Sequence, residues 1–433
     1  MQRRKVTFKL YPNDAQLARL DGWVRLHAEL YNAALQERIE AYRKAGVSIS
    51  YYDQQNTLPA IKTFRPELVE LGSHALQETL RKLDRAFQAF FRRVKAGQSP
   101  GFPRFKASAR FAGFCYPDPA GWKLHQLGNR GASIRLGSGK EAMVIRARGK
   151  HRFDQFKPND LTLMRKRNHA TGKDQWYASV TLRVSDENCQ RTRTGDDQVG
   201  LDFGVSHWAT FDDGSQIGNP RWQRESLPKM ADLQQQRARK KRGSHRYKLL
   251  TQKISRLHQR ITNVRRDFLH KQTSALVQRC ALIATEELTP KNMSRSAKGT
   301  VESPGRHVRQ KAGLNREILS ASFGMSHQML QYKAEEAGTR LHLAKTRQLK
   351  PSQRCSACWA IVPKTLNDRT HACLCGCMLP RDENSAKVVL FDAWTPNNTP
   401  GTGVTARLEP LSANTDMPRS KTRETPTTTA IAV

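Results

Sequence analysis

Four cysteines and three acids are the side chains of this sequence whose types and spacing could do chemistry. Cys355 and Cys358 form a C-x2-C knuckle, and Cys373 and Cys375 form a tighter C-x-C pair. Four thiolates so spaced supply the tetrahedral soft-donor set of a structural zinc ion. His371 and Cys377 lie beside the second pair and are alternative donors there. The acids are Asp202, Glu286 and Asp382, and each stands at the edge of an apolar run. Three converging carboxylates can hold two Mg²⁺ ions about 4 Å apart for in-line phosphodiester hydrolysis. One ion helps generate hydroxide from water, the other steadies the leaving 3′-oxygen, and hard oxygen donors suit both. Any one of these acids alone reads as a surface carboxylate. The order of all three, with the cysteines between the second and third, favours the metal reading.

Those groups need elements to position them. Asp202 lies in Val199–Phe211, which reads as strand, turn and strand before Asp212-Asp213-Gly214. Glu286 directly follows the strand-like run Ala281–Thr285, which favours it over Glu287. Asp382 heads an apolar run from Ala386 to Phe391 that is compatible with a helix. Upstream, Lys5–Leu10 alternates as a strand, and Asn13 can cap a helix carrying Leu17, Leu20, Val24, Leu30, Leu35 and Ile39. Leu76 to Val94 repeats the helical spacing. Residues 111–184 break into short strands, with a hairpin between Leu161–Met164 and Tyr177–Leu182. Leu250, Ile254, Leu257, Ile261, Val264 and Phe268 mark one long helix. A Gly/Ser/Lys-rich loop over 292–313 precedes a further helix from Ile318 to Tyr332. Beyond Trp394 the chain turns to Thr, Pro, Asn and Gly and reads as a disordered tail.

Charge identifies the partner class. The 433 residues include 74 basic and 38 acidic side chains, a net charge of +36. Solubility needs only a few net charges, so this excess points to a polyanion, nucleic acid rather than a membrane surface. Candidate contacts are Arg81 and Arg85 on the second helix and Arg104 in the aromatic loop 97–105. Arg256, Arg260, Arg266 and Lys271 along the long helix complete the set. A solvated face and a phosphate-contacting face both fit these positions. Five of the eight cysteines fall between Cys355 and Cys377, which favours metal binding over a disulfide scaffold. No signal peptide or membrane-spanning run is evident, and a reducing cytoplasmic location is expected.

Several segments together resemble the TnpB family of insertion-sequence proteins, RNA-guided nucleases related to type V CRISPR effectors. They are Gly200-Leu-Asp202-Phe-Gly, Ile283-Ala-Thr-Glu286-Glu-Leu, Ser352-Gln-Arg-Cys355-Ser-Ala-Cys358, Cys375-Gly and Arg381-Asp382-Glu-Asn384-Ser-Ala. Weaker similarity runs through Tyr51-Tyr52-Asp53, Leu83-Asp84-Arg85-Ala86-Phe87 and Gly101-Phe-Pro-Arg-Phe105. The resemblance implies an α+β multidomain chain, with a wedge β-barrel from residues 1–11 and 97–195 and a helical recognition domain over 12–96. It further implies an RNase H-like (RuvC) nuclease domain over 196–354 and 376–395, a zinc finger inserted at 355–375, and a tail over 396–433. The implied activity is metal-dependent, RNA-guided cleavage of double-stranded DNA beside a short adjacent motif. Asp202, Glu286 and Asp382 would bind the catalytic Mg²⁺, and the guide RNA would come from the end of the element. Strand transfer by a transposase and guide-bound repression without cleavage are the alternatives. The chain departs from the family pattern in carrying Ala372 where a cysteine is usual, Trp359 after the first knuckle, and Pro380 where an extra aspartate is common.

Overall fold

Alternation in the strand Gln2–Tyr11 puts Val6, Phe8 and Leu10 on one face, and all three are buried. The computed structural model describes residues 2–395 apart from 128–130, 138, 140, 150–155, 169–170, 185–192, 301 and 366. The disordered tail expected over 396–433 therefore lies outside the described residues. The first strand is the fourth of a seven-stranded antiparallel sheet, hydrogen-bonded to Asp174–Val184 on one side and Met143–Arg148 on the other. The expected hairpin is present, with Leu161 opposite Val180 and Leu163 opposite Ala178. Two helices cover this sheet. Asp14–Ala45 starts in a capping box between Asn13 and Gln16 and stops at Gly46, whose φ of 65° is left-handed. Its Leu20, Trp23 and Leu35 share one core with Leu76, Leu80 and Leu83 of Ser73–Lys95.

The chain divides into two compact units, and these elements belong to the one built from Met1–Asp196, Arg221–Ala281 and Met325–Arg340. The same unit holds the long helix, His245–Arg279, which packs against Trp222–Ala238 through Met230, Leu233, Leu250, Ile254 and Ile261. The sequence gives little notice of Trp222–Ala238, because its buried positions are few and Pro228 lies inside it. The buried Lys333 fastens a further helix to the long one. Its ammonium donates to the His270 carbonyl at 2.8 Å, Thr273 Oγ1 at 2.6 Å and Ser274 Oγ at 2.9 Å.

The second unit gathers Asp197–Pro220, Leu282–Gly324 and the chain from Leu341. A five-stranded sheet organises it, in the spatial order Gln216–Gly218, His207–Phe211, Asp197–Asp202, Cys280–Glu286, Arg340–Ala344. The first three strands are antiparallel neighbours. The helix Arg381–Trp394 packs Val388, Val389, Leu390 and Ala393 onto Leu282, Ala284 and Ala344. Gly200 permits close approach between helix and sheet, since a Cβ there would lie 2.0 Å from the Ala386 carbonyl oxygen. The fold is thus mixed α+β. One expected helix is two: Val308–Ala321 and Phe323–Ala337 are parted at Ser322, whose φ of 59° is left-handed. The first of them begins inside the segment read from sequence as loop.

Candidate active site and metal centre

The three acids occupy element ends within the second unit. Asp202 is the last residue of its strand, Glu286 is the last of its strand, and Asp382 is the second residue of its helix. The strands explain this placement. Val199, Gly200 and Leu201 are buried before Asp202, and Leu282 to Thr285 are buried before Glu286, so each carboxylate emerges where the apolar run stops. Glu287, the next residue, is exposed, whereas Glu286 is half-buried. In the first turn of its helix, the Asp382 carboxylate lies at the positive end of the helix dipole.

Electrostatics tie the three together. Burial pushes the Asp202 carboxyl well above the ordinary range, the charges of Glu286 and Asp382 push it further, and the Arg381 guanidinium pulls it back. Burial also raises Glu286. The Arg381 guanidinium stands 3.7 Å from Asp382 and donates to the Asp368 carbonyl at 3.1 Å. A desolvated pair of acids with a third carboxylate beside it is costly in a free protein, and a divalent cation is what such a donor set suits.

Beside this cluster, the four knuckle thiols converge. Cys355 Sγ lies 3.6 Å from Cys375 Sγ, Cys358 Sγ lies 3.5 Å from Cys373 Sγ, and all four sulfurs fall within 4.8 Å of one another. Zinc–sulfur bonds of about 2.3 Å place tetrahedral thiolates about 3.8 Å apart, so the cluster fits zinc as it stands. A second trio, Cys355, His371 and Cys377, shares the buried Cys355. His371 is wholly buried; Lys364 hydrogen-bonds its Nδ1, while its Nε2 has no hydrogen-bond partner. Both donor sets raised by the sequence are thus close enough for metal, with Cys355 common to them.

Sequence reasoning left Arg381 and Asn384 without roles, although both stand in the quoted motif. Asn384 is wholly buried. Its Oδ1 accepts from the Ser356 N–H at 2.9 Å and its Nδ2 donates to the Arg354 carbonyl at 2.7 Å. One amide therefore grips the backbone on both sides of Cys355, two residues along the helix from Asp382. Residue type alone gave no signal for this, because the partners are main-chain groups.

The expected nucleic-acid contacts are all exposed. Arg81 stacks on Tyr51 at 5.1 Å, and Arg85 is ion-paired with Glu78. Arg104 lies in its loop, while Arg256, Arg260, Arg266 and Lys271 are spread along the long helix. Lys271 pairs with Asp267 at 2.8 Å.

Comparison with known proteins places the chain. Residues 179–297 match the OrfB/IS605 family model, described as "Probable transposase", and residues 323–389 match the Cas12f1-like TNB domain. Residues 1–46 match the family's model described as a helix-turn-helix domain, although residues 2–45 here form one strand and one continuous helix. A protein of Escherichia coli K12 named "Putative RNA-guided DNA endonuclease InsQ" is 33% identical over 353 residues, 81% of this chain and 82% of that one. A "Putative RNA-guided DNA endonuclease" of Streptomyces pristinaespiralis is 29% identical over 395 residues, 90% of this chain and 89% of that one. The fold is similar to the protein in the cryo-EM structure of a Cas12f1–sgRNA–target DNA complex, with a TM-score of 0.54 at 12% identity over 86% of this chain and 82% of that one. With a relative this similar over four-fifths of both lengths, and family models matching its beginning, middle and end, the chain belongs to the OrfB/IS605 family, the TnpB family that its motifs resemble.

Proposed function

We propose that this chain is an RNA-guided DNA endonuclease whose hydrolytic centre is Asp202, Glu286 and Asp382. The observation that carries the reading is three carboxylates at element ends, with Asp202 and Glu286 both raised by burial, Asp202 raised further by the charges of Glu286 and Asp382, and Arg381 beside them. The names of the relatives support the substrate class, and the sheet order supports an RNase H-like core. Two bound Mg²⁺ ions would supply the Lewis acidity that generates hydroxide and steadies the leaving 3′-oxygen. The chain's own residues hold two desolvated acids, Asp202 and Glu286, with Asp382 acting on the first. Arg381 favours the ionised form of Asp202. The apolar runs ending at Asp202 and Glu286 keep bulk water from that side. Zinc at Cys355, Cys358, Cys373 and Cys375 is assigned a structural role, consistent with four protein donors and no open position. In the same reading residues 1–11 and 97–195 serve as wedge, 12–96 as recognition domain and 355–375 as finger insertion. Guide RNA and target DNA are gripped through their backbones by the basic faces.

The test is plasmid cleavage by the protein purified with RNA transcribed from its flanking DNA. Asp202→Ala is expected to lose about a thousandfold or more in cleavage with RNA binding intact. Cleavage equal to wild type would remove these acids from the mechanism. The "Probable transposase" description of the family model keeps strand transfer as a second reading. Joined products in the same assay would favour it, and cut ends alone would count against it.

A further inference from the structure

The rings of the aromatic loop 97–105 and of the helix end before it do not plug a core. Phe91 is 59% exposed, Phe102 47% and Phe105 55%. Phe102 nonetheless has a defined place, edge-on to Phe90 at 5.3 Å and to Phe87 at 5.6 Å, while Phe91 stands 5.2 Å from Phe90. The rings are therefore held as a platform by the end of the helix Ser73–Lys95, and Pro103, which is buried, anchors the loop. Arg93 and Arg104 are exposed in the same stretch, and between Asp84 and Asp118 the sequence carries seven basic residues and no acid.

We propose that this platform binds unpaired RNA bases, with Phe91 and Phe102 stacking on them and Arg93 and Arg104 meeting the adjoining phosphates. Exposed rings beside guanidinium groups complement a flat π-face on an anionic backbone. A duplex hides its base faces inside the stack. Folded RNA displays them in loops and bulges, which is why the occupant is RNA rather than the DNA duplex. This assignment rests on the RNA-guided reading above but not on its hydrolytic centre.

The experiment uses the full chain and a labelled, mixed-sequence single-stranded RNA of about 20 nucleotides at fixed salt, with the same RNA as a perfect duplex for comparison. Replacing both rings, Phe91→Leu with Phe102→Leu, keeps apolar area and removes the π-faces. Affinity for the single strand is expected to fall about tenfold, with duplex binding unchanged and the Trp pair at the same positions restoring it. Equal losses on both RNAs, or none on the single strand, overturn the proposal. Ultraviolet cross-linking of the complex with its co-purifying RNA and a target duplex tests the source. A ribonucleotide adduct on the Phe91 or Phe102 peptide supports it, whereas a deoxyribonucleotide adduct or a bound protein there overturns it. Asp202→Ala is expected to leave every one of these readings unchanged, which separates this proposal from the hydrolytic one.

Discussion

Arg38 and Asp202 are both ionisable groups taken out of water, and the two units treat them in opposite ways. Around Arg38 the first unit assembles compensation. Its guanidinium donates to Gln54 at 2.9 Å and Asp84 at 3.1 Å and lies 5.2 Å from the Phe87 ring. Around Asp202 the second unit assembles two more negative groups, Glu286 and Asp382. A buried charge that is answered rigidifies a fold. A buried charge set against its like is a cost that folding alone does not explain, and such places are where function is sought first.

Asp202→Asn sharpens this contrast most. Cleavage is expected to vanish in the plasmid assay while the melting temperature of the metal-free protein holds or rises, because a desolvated charge has gone. A large drop in melting temperature would mean that Asp202 is structural, as Arg38 is. Arg38→Ala should do the reverse and destabilise by about 3–5 kcal/mol in denaturant titration, since it strands Asp84 and Gln54. A loss below about 1 kcal/mol would break the comparison from that side.

The buried His27 extends the first unit's pattern to a titration. Its Nδ1 meets Thr79 Oγ1 at 2.7 Å, its ring stacks on Phe114, and burial, then the Lys82 charge, lowers its pKa from 6.5 to about 3. Between those values the unfolded chain takes up a proton that the folded chain refuses. The stabilisation is therefore complete above pH 6.5 and is lost as acid approaches pH 3. About 2 kcal/mol should be gone by about pH 5, and His27→Leu should flatten that part of the stability curve. The smallest effect belongs to the knuckle. Chelation should lower the melting temperature by a few degrees and leave the first unit's transition in place, checked by calorimetry with zinc restored.

What the sequence disclosed follows from how local each feature is. The cysteines were legible because tetrahedral donors can come from one short stretch. Asp202 and Glu286 were read as ends of apolar strands and Asp382 as the head of a helix, and the choice between Glu286 and Glu287 rested on where the run Ala281–Thr285 stops. The break at Ser322 was hidden, since serine has no strong preference for the left-handed region and periodicity continues through it. The helix Trp222–Ala238 was hidden because it buries few side chains. Arg381 and Asn384 act on carbonyl and amide groups far away in sequence, and no residue pattern marks those partners.

The grip of Asn384 on the backbone around Cys355 bears on the order in which the chain folds. Its two hydrogen bonds close loops of 28 and 30 residues. Once a metal joins the thiolates, the free path from Cys375 to Asn384 is only nine residues. Logarithmic loop closure makes that shortening worth about 1 kcal/mol of chain entropy. A newly made chain that captures its ion before the last helix docks thus meets a lower entropic barrier to seating Asp382, and in zinc-starved cells this step would come late.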